Sequence, residues 1–545
     1  MTQPEYIGAT QQQIDAILAL AKPTFPEPEY ELLRKILETF SYVMRSLQNA
    51  RTTITRFRRM LFGASTESAG NLLKGAGGKS QAQKDAPSTE SASPDTSPGE
   101  RDEKKTKPRI GHGRNGAEKY SNSPVVHLCV TNLKSGDPCP ECLYGKVYES
   151  PPKTIVKVIG QPPLTATVYK LEHLRCRLCD ASFTANLPEG TSAEKYDTSC
   201  ATMLAILRYG SGMPFYRLEG LQASMNIPLP DSTQWDIVSK AVEAPQAVFT
   251  ELINQAAQGD VVHNDDTRAK ILSIIVARKK AEAAGLTPEA KAINTSGIIS
   301  ILPQGQKVAL FFTGHPHAGD NLTQVLEQRD KDLVVPIQMS DALSSNYSKE
   351  FATILANCLS HGRRMFVDVI EHFPEPCAYV IETLGKVYAF DAKTLELKMS
   401  PEQRLQYHRT HSAKPMEELK QWMQARFDQR EVEPISGLGK ALGYMLRHWE
   451  ELTLFLRKAG APLDNNICER ALKRAIRHRK NSMFYWTPNG AKVGDIYMSL
   501  IHTCELCKVN PFDYLQALHS HAKEVMGKAA LWLPWNYRAQ LPAAP

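Results

Sequence analysis

In the run Cys468-Glu469-Arg470-Ala471-Leu472-Lys473-Arg474 a single carboxylate, Glu469, is embedded among cations that continue through Arg477, Arg479 and Lys480. That mixture makes poor core material and suits a helix that holds a metal beside a phosphate backbone. Two divalent cations about 3.5–4 Å apart need several hard oxygen ligands from different parts of a fold, so Glu469 requires partners. Two upstream segments offer them. Val261-Val262-His263-Asn264-Asp265-Asp266-Thr267 and Pro336-Ile337-Gln338-Met339-Ser340-Asp341-Ala342 are each a short β-like run ending in a carboxylate. Asp265 and Asp266 are adjacent, so only one of them can face a given side of a strand, and either one can be the ligand.

The elements that must position these acids follow from periodicity. Strand patterns cover Val261–Asn264, Gly297–Leu302, Lys307–Thr313 and Val334–Met339, with a helix at Asn321–Gln328 before the last of these. A further helix is expected near Lys349–Asn357 and a short strand-like stretch at Met365–Val369. Three consecutive strands, a helix, a strand and a helix make an α/β sheet of the ribonuclease H type a natural topology. The acids would then converge at one edge of it. Residues 374–460 read as polar-faced helices inserted before the Glu469 helix, and 191–258 as mostly helical, broken at Tyr209-Gly210-Ser211-Gly212-Met213-Pro214.

Toward the N-terminus, Leu33, Phe40, Leu47, Ile54 and Leu61 recur every seven residues, with Ile36, Val43, Ala50 and Phe57 at the intervening positions. This heptad predicts a helix that buries its seam against a second copy of the chain. Ser65–Pro108 is rich in Ser, Gly, Pro, Ala, Lys and Glu and reads as a flexible linker. A basic arm, Lys107-Pro108-Arg109-Ile110-Gly111-His112-Gly113-Arg114, follows; Arg109 and Arg114 suit a minor groove.

Eleven cysteines, an odd number, argue against a disulfide framework. Cys139-Pro140-Glu141-Cys142 and Cys176-Arg177-Leu178-Cys179 supply four thiolates, the preferred set for a structural Zn²⁺, joined through strands expected at Thr154–Ile159 and Thr165–Tyr169. A closed shell of four thiolates leaves no position for catalysis. Cys504 and Cys507, on a helical run, read as core cysteines.

The chain has 545 residues, 42% apolar and 23% charged, which suits a multidomain protein. Its net charge of +7 is modest, so cations must be clustered to bind nucleic acid, as they are around Glu469. With no long apolar run and no signal-like N-terminus, the expected location is the cytoplasm, on the nucleoid, with no membrane association.

Taken in order, His263-Asn264-Asp265-Asp266-Thr267, Gln338-Met339-Ser340-Asp341-Ala342, Cys358-Leu359-Ser360-His361-Gly362-Arg363-Arg364 and Asp464-Asn465-Asn466-Ile467-Cys468-Glu469-Arg470 resemble the successive motifs of insertion-sequence-66 family transposases. The Leu61-Phe62-Gly63-Ala64-Ser65-Thr66-Glu67 segment, the His112-Gly113-Arg114 arm, both cysteine pairs and Asn510-Pro511-Phe512-Asp513-Tyr514-Leu515 resemble that family as well, over roughly residues 30 to 525.

The resemblance implies a multidomain α/β DDE transposase of an insertion sequence, with an N-terminal coiled coil, a four-Cys zinc ribbon and a ribonuclease H-like core carrying a helical insertion. Asp265, Asp341 and Glu469 would be catalytic and hold two Mg²⁺ ions, with Mn²⁺ as a substitute. The implied partners are terminal inverted repeats, target DNA, a second copy through Leu33–Leu61 and accessory proteins of the element. The family commonly has Asp-Glu-Thr where this chain has Asp265-Asp266-Thr267, which leaves Asp266 a rival for the first acid. Many DDE enzymes carry a cation seven residues after the glutamate, where this chain has Ile476; Lys473 or Arg477 would take that role. DNA contacts are expected from Arg109, Arg114, His361, Arg363, Arg364, Arg470, Lys473, Arg474, Arg477, Arg479 and Lys480. A catalytically silent zinc-ribbon regulator and a nuclease without strand transfer are the alternatives.

The expected divisions are 1–64 (coiled coil), 65–110 (linker and arm), 111–190 (zinc ribbon), 191–258 (helical), 259–373 (first part of the core), 374–460 (insertion), 461–487 (Glu469 helix), 488–530 (C-terminal helices) and 531–545 (tail).

Overall fold

The computed structural model describes residues 11–40, 125, 134–138, 140, 146–148, 161–175, 182–189, 191, 194–286 and 292–542. Outside them lie the heptad beyond residue 40, the 65–110 linker with Arg109 and Arg114, and all four cysteines expected to hold zinc. The chain forms two compact units, residues 80–163 and the remainder. In the smaller unit, a tight turn precedes Cys139: Gly136 takes φ +99°, its N–H donates to Val147 O at 2.9 Å, and Pro138 bridges Lys146.

In the larger unit, strands β1 (His173–Arg175) and β2 (Ser182–Thr184) pair antiparallel. Thr165–Tyr169, expected to be a strand, is irregular and exposed, and among the described residues no strand pairs with it. Residues 27–40 are helical, and Ile36 and Phe40 of the heptad are exposed.

The centre is a five-stranded sheet of β3 (Val261–Arg268), β4 (Asn294–Ile301), β5 (Lys307–Gly314), β6 (Ile337–Ser340) and β7 (Ile354–Asn357), in the order β5-β4-β3-β6-β7. Strands β3, β4 and β5 form an antiparallel meander, while β6 joins β3 in parallel and β7 joins β6 in parallel. Helix α1 (Ala318–Leu326) connects β5 to β6; α2 (Leu359–Val369) follows β7; α3 (Asn466–Ser482) carries Glu469, and α4 (Pro488–Leu506) comes next.

Between 349 and 369 the expected order is reversed. Ile354–Asn357 is a strand where a helix is expected, and Met365–Val369 belongs to helix α2 where a strand is expected. The reason is tertiary. A run as short as Ile354-Leu355-Ala356 has no periodicity to choose by and becomes a strand because the exposed side of β6 accepts it; Leu359, Phe366, Val367 and Val369 then form one buried helical face. Helix Leu272–Ala283 has no buried residue and left no apolar stripe to read.

Helix α4 solves the problem of the free β5 edge. Asp495, Ser499 and Thr503, one turn apart, accept the N–H groups of Thr313, Phe311 and Ala309 at 2.7, 2.9 and 3.0 Å. A stripe of buried polar side chains thus replaces a neighbouring strand.

Two large apolar cores result, beside a small one of Ile271, Ile293, Tyr485 and Ala491. The first joins β4, β5, α1, the inner face of α3, α4 and helices before β3, with Ile298, Phe311, Leu322, Leu472 and Tyr497 at its centre. The second joins β6, α2 and the helices Pro374–Glu396, Ala413–Asp428 and Gly437–Arg447 through Met339, Phe366, Leu384, Met416 and Leu442. The segment expected to be a tail is not one: Trp532, Leu533 and Tyr537 are buried in the first core, and the Tyr514 hydroxyl donates to Trp532 O at 2.6 Å. Burial of two aromatic rings anchors it.

Candidate active site

Strand alternation separates the two neighbouring aspartates. Asp266 turns to the face that carries α1, where Ser296 Oγ donates to it at 2.6 Å, Ala318 N at 3.0 Å, and His317 Nδ1 lies at 2.9 Å. It caps the N-terminus of α1, and its oxygens are fully engaged. Asp265 turns to the opposite face. The β3–β6 register ends with His263 paired to Met339; continued by two residues it brings Asp265 level with Asp341, whose charge acts on it.

Asp341 stands just past the end of β6, accepting from Leu343 N at 3.2 Å and from the Asn346 side-chain amide. Burial pushes the Asp265 carboxyl up to about 7, and the charges of Asp341 and Glu469 add to the rise against one hydrogen bond from Asp266 N. Acids gathered around Asp265 in this way make a concentrated negative site.

The third acid arrives on α3, and Asn465 fixes where that helix begins. Its side-chain amide donates to Asn264 O at 3.0 Å, its Oδ1 faces His263 Nδ1 at 3.1 Å, and its backbone N–H donates to Cys358 Sγ at 3.2 Å. Because burial holds His263 down at about 4, the imidazole is neutral and donates through Nδ1 to Asn465. Asn465 therefore ties together β3, the start of α2 and the start of α3. One turn later Cys468 Sγ donates to Gly297 O at 3.3 Å. Gly297 leaves room there for Leu472, whose Cδ2 would lie 2.9 Å from an added Cβ.

Glu469 is about one-fifth exposed and lies between His361 and Arg364 of α2, with Oε1 at 3.5 Å from His361 Nδ1 and Oε2 at 3.6 Å from Arg364 Nη2. The Oε1 and Nδ1 atoms face each other without a hydrogen bond. Among the described residues, the group whose ligand atoms all lie within 4.8 Å of one another is Cys358, His361 and Glu469. Cys358 is a poor third donor for a hard cation: it is fully buried, burial pushes its thiol up to about 12, and its sulfur already accepts from Asn465 N. The three carboxylates are coupled electrostatically across the sheet edge while Glu469 is turned toward α2.

The cations of α3 divide into two sets. Arg470, Lys473, Arg477 and Lys480 are exposed and recur at helical spacing, so they form one ridge. Arg474 instead pairs with Glu505, and Arg479 donates to Arg268 O, both on the flanks of the helix. Arg477 also donates to Gly210 O at 2.8 Å. Sequence reading missed the role of Asn465, although an Asp-Asn-Asn run before a helix is a start signal. It also missed Asn346, whose partner is set by the fold.

The arrangement is a mixed α/β core with an acidic cluster at the sheet edge and a cationic helix beside it. Residues 195–493 match the family described as Transposase IS66 family, and the chain belongs to that family. Curated relatives come from Sinorhizobium fredii (strain NBRC 101917 / NGR234). Uncharacterized protein y4jD is 33% identical over 190 residues, 34% of this chain and 36% of that protein. Uncharacterized protein y4hP is 22% identical over 390 residues, 67% of each. Uncharacterized protein y4qI is 25% identical over 190 residues, 34% of each. The match thus spans about a third of y4jD and y4qI. Among the described residues, no helix is long and apolar enough to cross a membrane.

Proposed function

We propose that the chain is a DDE transposase with a ribonuclease H-like core, which binds the terminal inverted repeats of an insertion sequence and catalyses DNA strand cleavage and transfer. The observation that carries the reading is that the charges of Asp341, just past the end of β6, and of Glu469, on the helix started by the Asn465 clamp, both act on Asp265 of β3. The sheet supports the fold assignment: three antiparallel strands are followed by two parallel ones on the other side of β3.

The donor set suits Mg²⁺, being made of hard carboxylate oxygens that repel one another in its absence, with Glu469 Oε1 lacking a hydrogen bond. Asp265, Asp341 and Glu469 would hold two ions, which when bound neutralise the acids and activate the attacking water or DNA 3′-hydroxyl. Asp266 is spent on capping α1 and is not a ligand. His361 and Arg364 on α2 border Glu469 and, with Arg363 of the same helix, orient the scissile phosphate. Arg470, Lys473, Arg477 and Lys480 follow the DNA backbone away from it. Arg474 and Arg479 serve the fold first, through Glu505 and Arg268.

Around this core, residues 111–190 form a zinc ribbon through Cys139, Cys142, Cys176 and Cys179. Arg109 and Arg114 lie in a minor groove. Two copies pair through Leu33–Leu61, a reading that the exposed Ile36 and Phe40 support. Such an enzyme acts on the nucleoid in the cytoplasm.

The test uses oligonucleotides bearing the inverted repeats that flank the gene. Wild-type chain with Mg²⁺ joins them to target DNA; Asp265→Asn, Asp341→Asn and Glu469→Gln each bind the ends and join nothing. Mg²⁺ also raises the thermal midpoint of the wild-type chain and not of these variants. Nicked ends without joined product would assign a nuclease, and joining by Glu469→Gln would sink the catalytic assignment.

A further inference from the structure

Beyond Ser482 the chain reverses sharply. Met483 takes φ +65°, an uncommon conformation for a residue with a side chain, and sends Phe484-Tyr485-Trp486 back beside the helix Leu272–Ala283. Backbone bonds hold that segment in place: Tyr485 N to Lys270 O at 2.9 Å, Leu272 N to Tyr485 O at 2.8 Å, and Ser273 N to Trp486 O at 3.0 Å. Across from it stand Phe215 and Tyr216 at the start of the helix Phe215–Ser224, and Trp235 of the helix Asp231–Lys240. Together they line an open cleft of about 680 Å³.

Three features of this cleft point to its occupant. Trp486 is 71% exposed and Tyr216 56% exposed, yet the Trp486 backbone is pinned, so an aromatic face is presented to solvent at little ordering cost. The Arg208 guanidinium is in the same wall, 4.9 Å from the centre of the Phe215 ring, and donates to Ser482 Oγ. Finally, the cleft is at the C-terminal end of α3, where the ridge of Arg470, Lys473, Arg477 and Lys480 runs out. A flat aromatic ligand joined to a polyanion fits all three.

We infer that this cleft takes one unstacked base of the DNA that lies along α3, stacked against Trp486 and Tyr216. The inference rests on the proposed DNA-binding role of that helix. Thirteen residues separate Glu469 from Ser482, about 20 Å along a helix. That distance is roughly six nucleotides of a B-form strand, so the base is held about half a turn from the reacting phosphate. Bases within a duplex are already stacked, so the cleft favours DNA with an unpaired base at that distance.

The experiment compares two fluorescent 30-base-pair duplexes in EDTA, one with a four-thymidine flap and one with a flap of four abasic residues. Wild-type chain is expected to bind the thymidine flap about tenfold more tightly. Trp486→Ala and Tyr216→Ala should lose that preference while binding the abasic flap as the wild type does; Trp486→Phe should keep it. Equal binding of both flaps by the wild type, or a preference that survives in both alanine variants, overturns the proposal. No strand is cut in EDTA, so the two readings fail separately. A chain that prefers thymidine flaps and never joins strands keeps the cleft and loses the catalytic assignment; one that joins strands without preference does the reverse.

Discussion

Two aspartates, half-buried Asp265 on β3 and buried Asp495 on α4 against the β5 edge, have their carboxyls pushed to about the same point, near 7, and for both burial is the largest cause. Their surroundings differ. Asp495, on α4, accepts from Thr313 N and Thr313 Oγ1, each at 2.7 Å, and both bonds pull it back down. Asp265 has one backbone hydrogen bond, and three further acids, Asp341, Glu469 and Asp266, push it up. A displaced carboxyl alone therefore does not mark a site. The partners do: Asp495 completes a sheet edge, while Asp265 is left with a charge problem that a cation would solve.

The largest test of that difference is activity. Asp265→Asn should lower Mg²⁺-dependent strand joining by on the order of 10³, because a transition-state charge contact is lost. Asp495→Asn, whose amide oxygen can still accept from Thr313 N while its NH₂ donates to Thr313 Oγ1, should join strands within a few-fold of wild type. Similar losses in the two variants, in a gel assay of labelled ends, would erase the distinction.

Stability should separate them in a second way. The folded-state value of Asp495 lies above the ordinary carboxylate value of 3.8, so the folded chain holds the proton longer than the unfolded chain between about pH 4 and 7. Wild-type stability must then fall across that window relative to Asp495→Asn. The relative loss should be roughly 2–4 kcal/mol, read as urea midpoints of the two chains at pH 5 and pH 8. A gap that does not change with pH would mean the carboxyl is already ionised at pH 5.

Gly297 tests the mechanical side of the acidic edge. A methyl group at this position meets Leu472 Cδ2 at 2.9 Å, so Gly297→Ala forces the Leu472 side chain of α3 to give way and strains the seating of that helix on the sheet. The expected cost is about 1–3 kcal/mol, with a loss of joining because Glu469 moves with the helix. Adding Leu472→Ala should restore part of the joining; if the double variant is no better than the single one, the contact is not what sets the helix position.

What the sequence made legible was local. Strands β3, β4, β5 and β6 have apolar patterns several residues long, and Val261, Ile299, Leu310 and Met339 are buried where those patterns put them. The aspartates could be picked out because each segment ends such a run, and Glu469 because it stands alone among helical cations. What stayed hidden depended on distant partners. Ile354–Asn357 is a strand only because β6 has a free side, and the polar stripe on α4 makes sense only against the β5 edge. The choice between Asp265 and Asp266 was hidden for the same reason: period two separates them, but the N-terminus of α1 decides which face is already taken.

That choice yields the smallest expected effect and the closest control. Asp266→Ala removes the acceptor for Ala318 N, Ser296 Oγ and His317, a helix-capping loss of about 1–2 kcal/mol. Because Asp266 faces away from Asp341 and Glu469, joining at a temperature well below the melting point should stay within about tenfold of wild type, set against the far larger loss from Asp265→Asn one residue away. The informative pairing is stability against activity: Asp266→Ala should be the less stable variant and the more active one. The opposite ranking would move the first ligand to Asp266 and would require α1 to give up its cap whenever a cation binds.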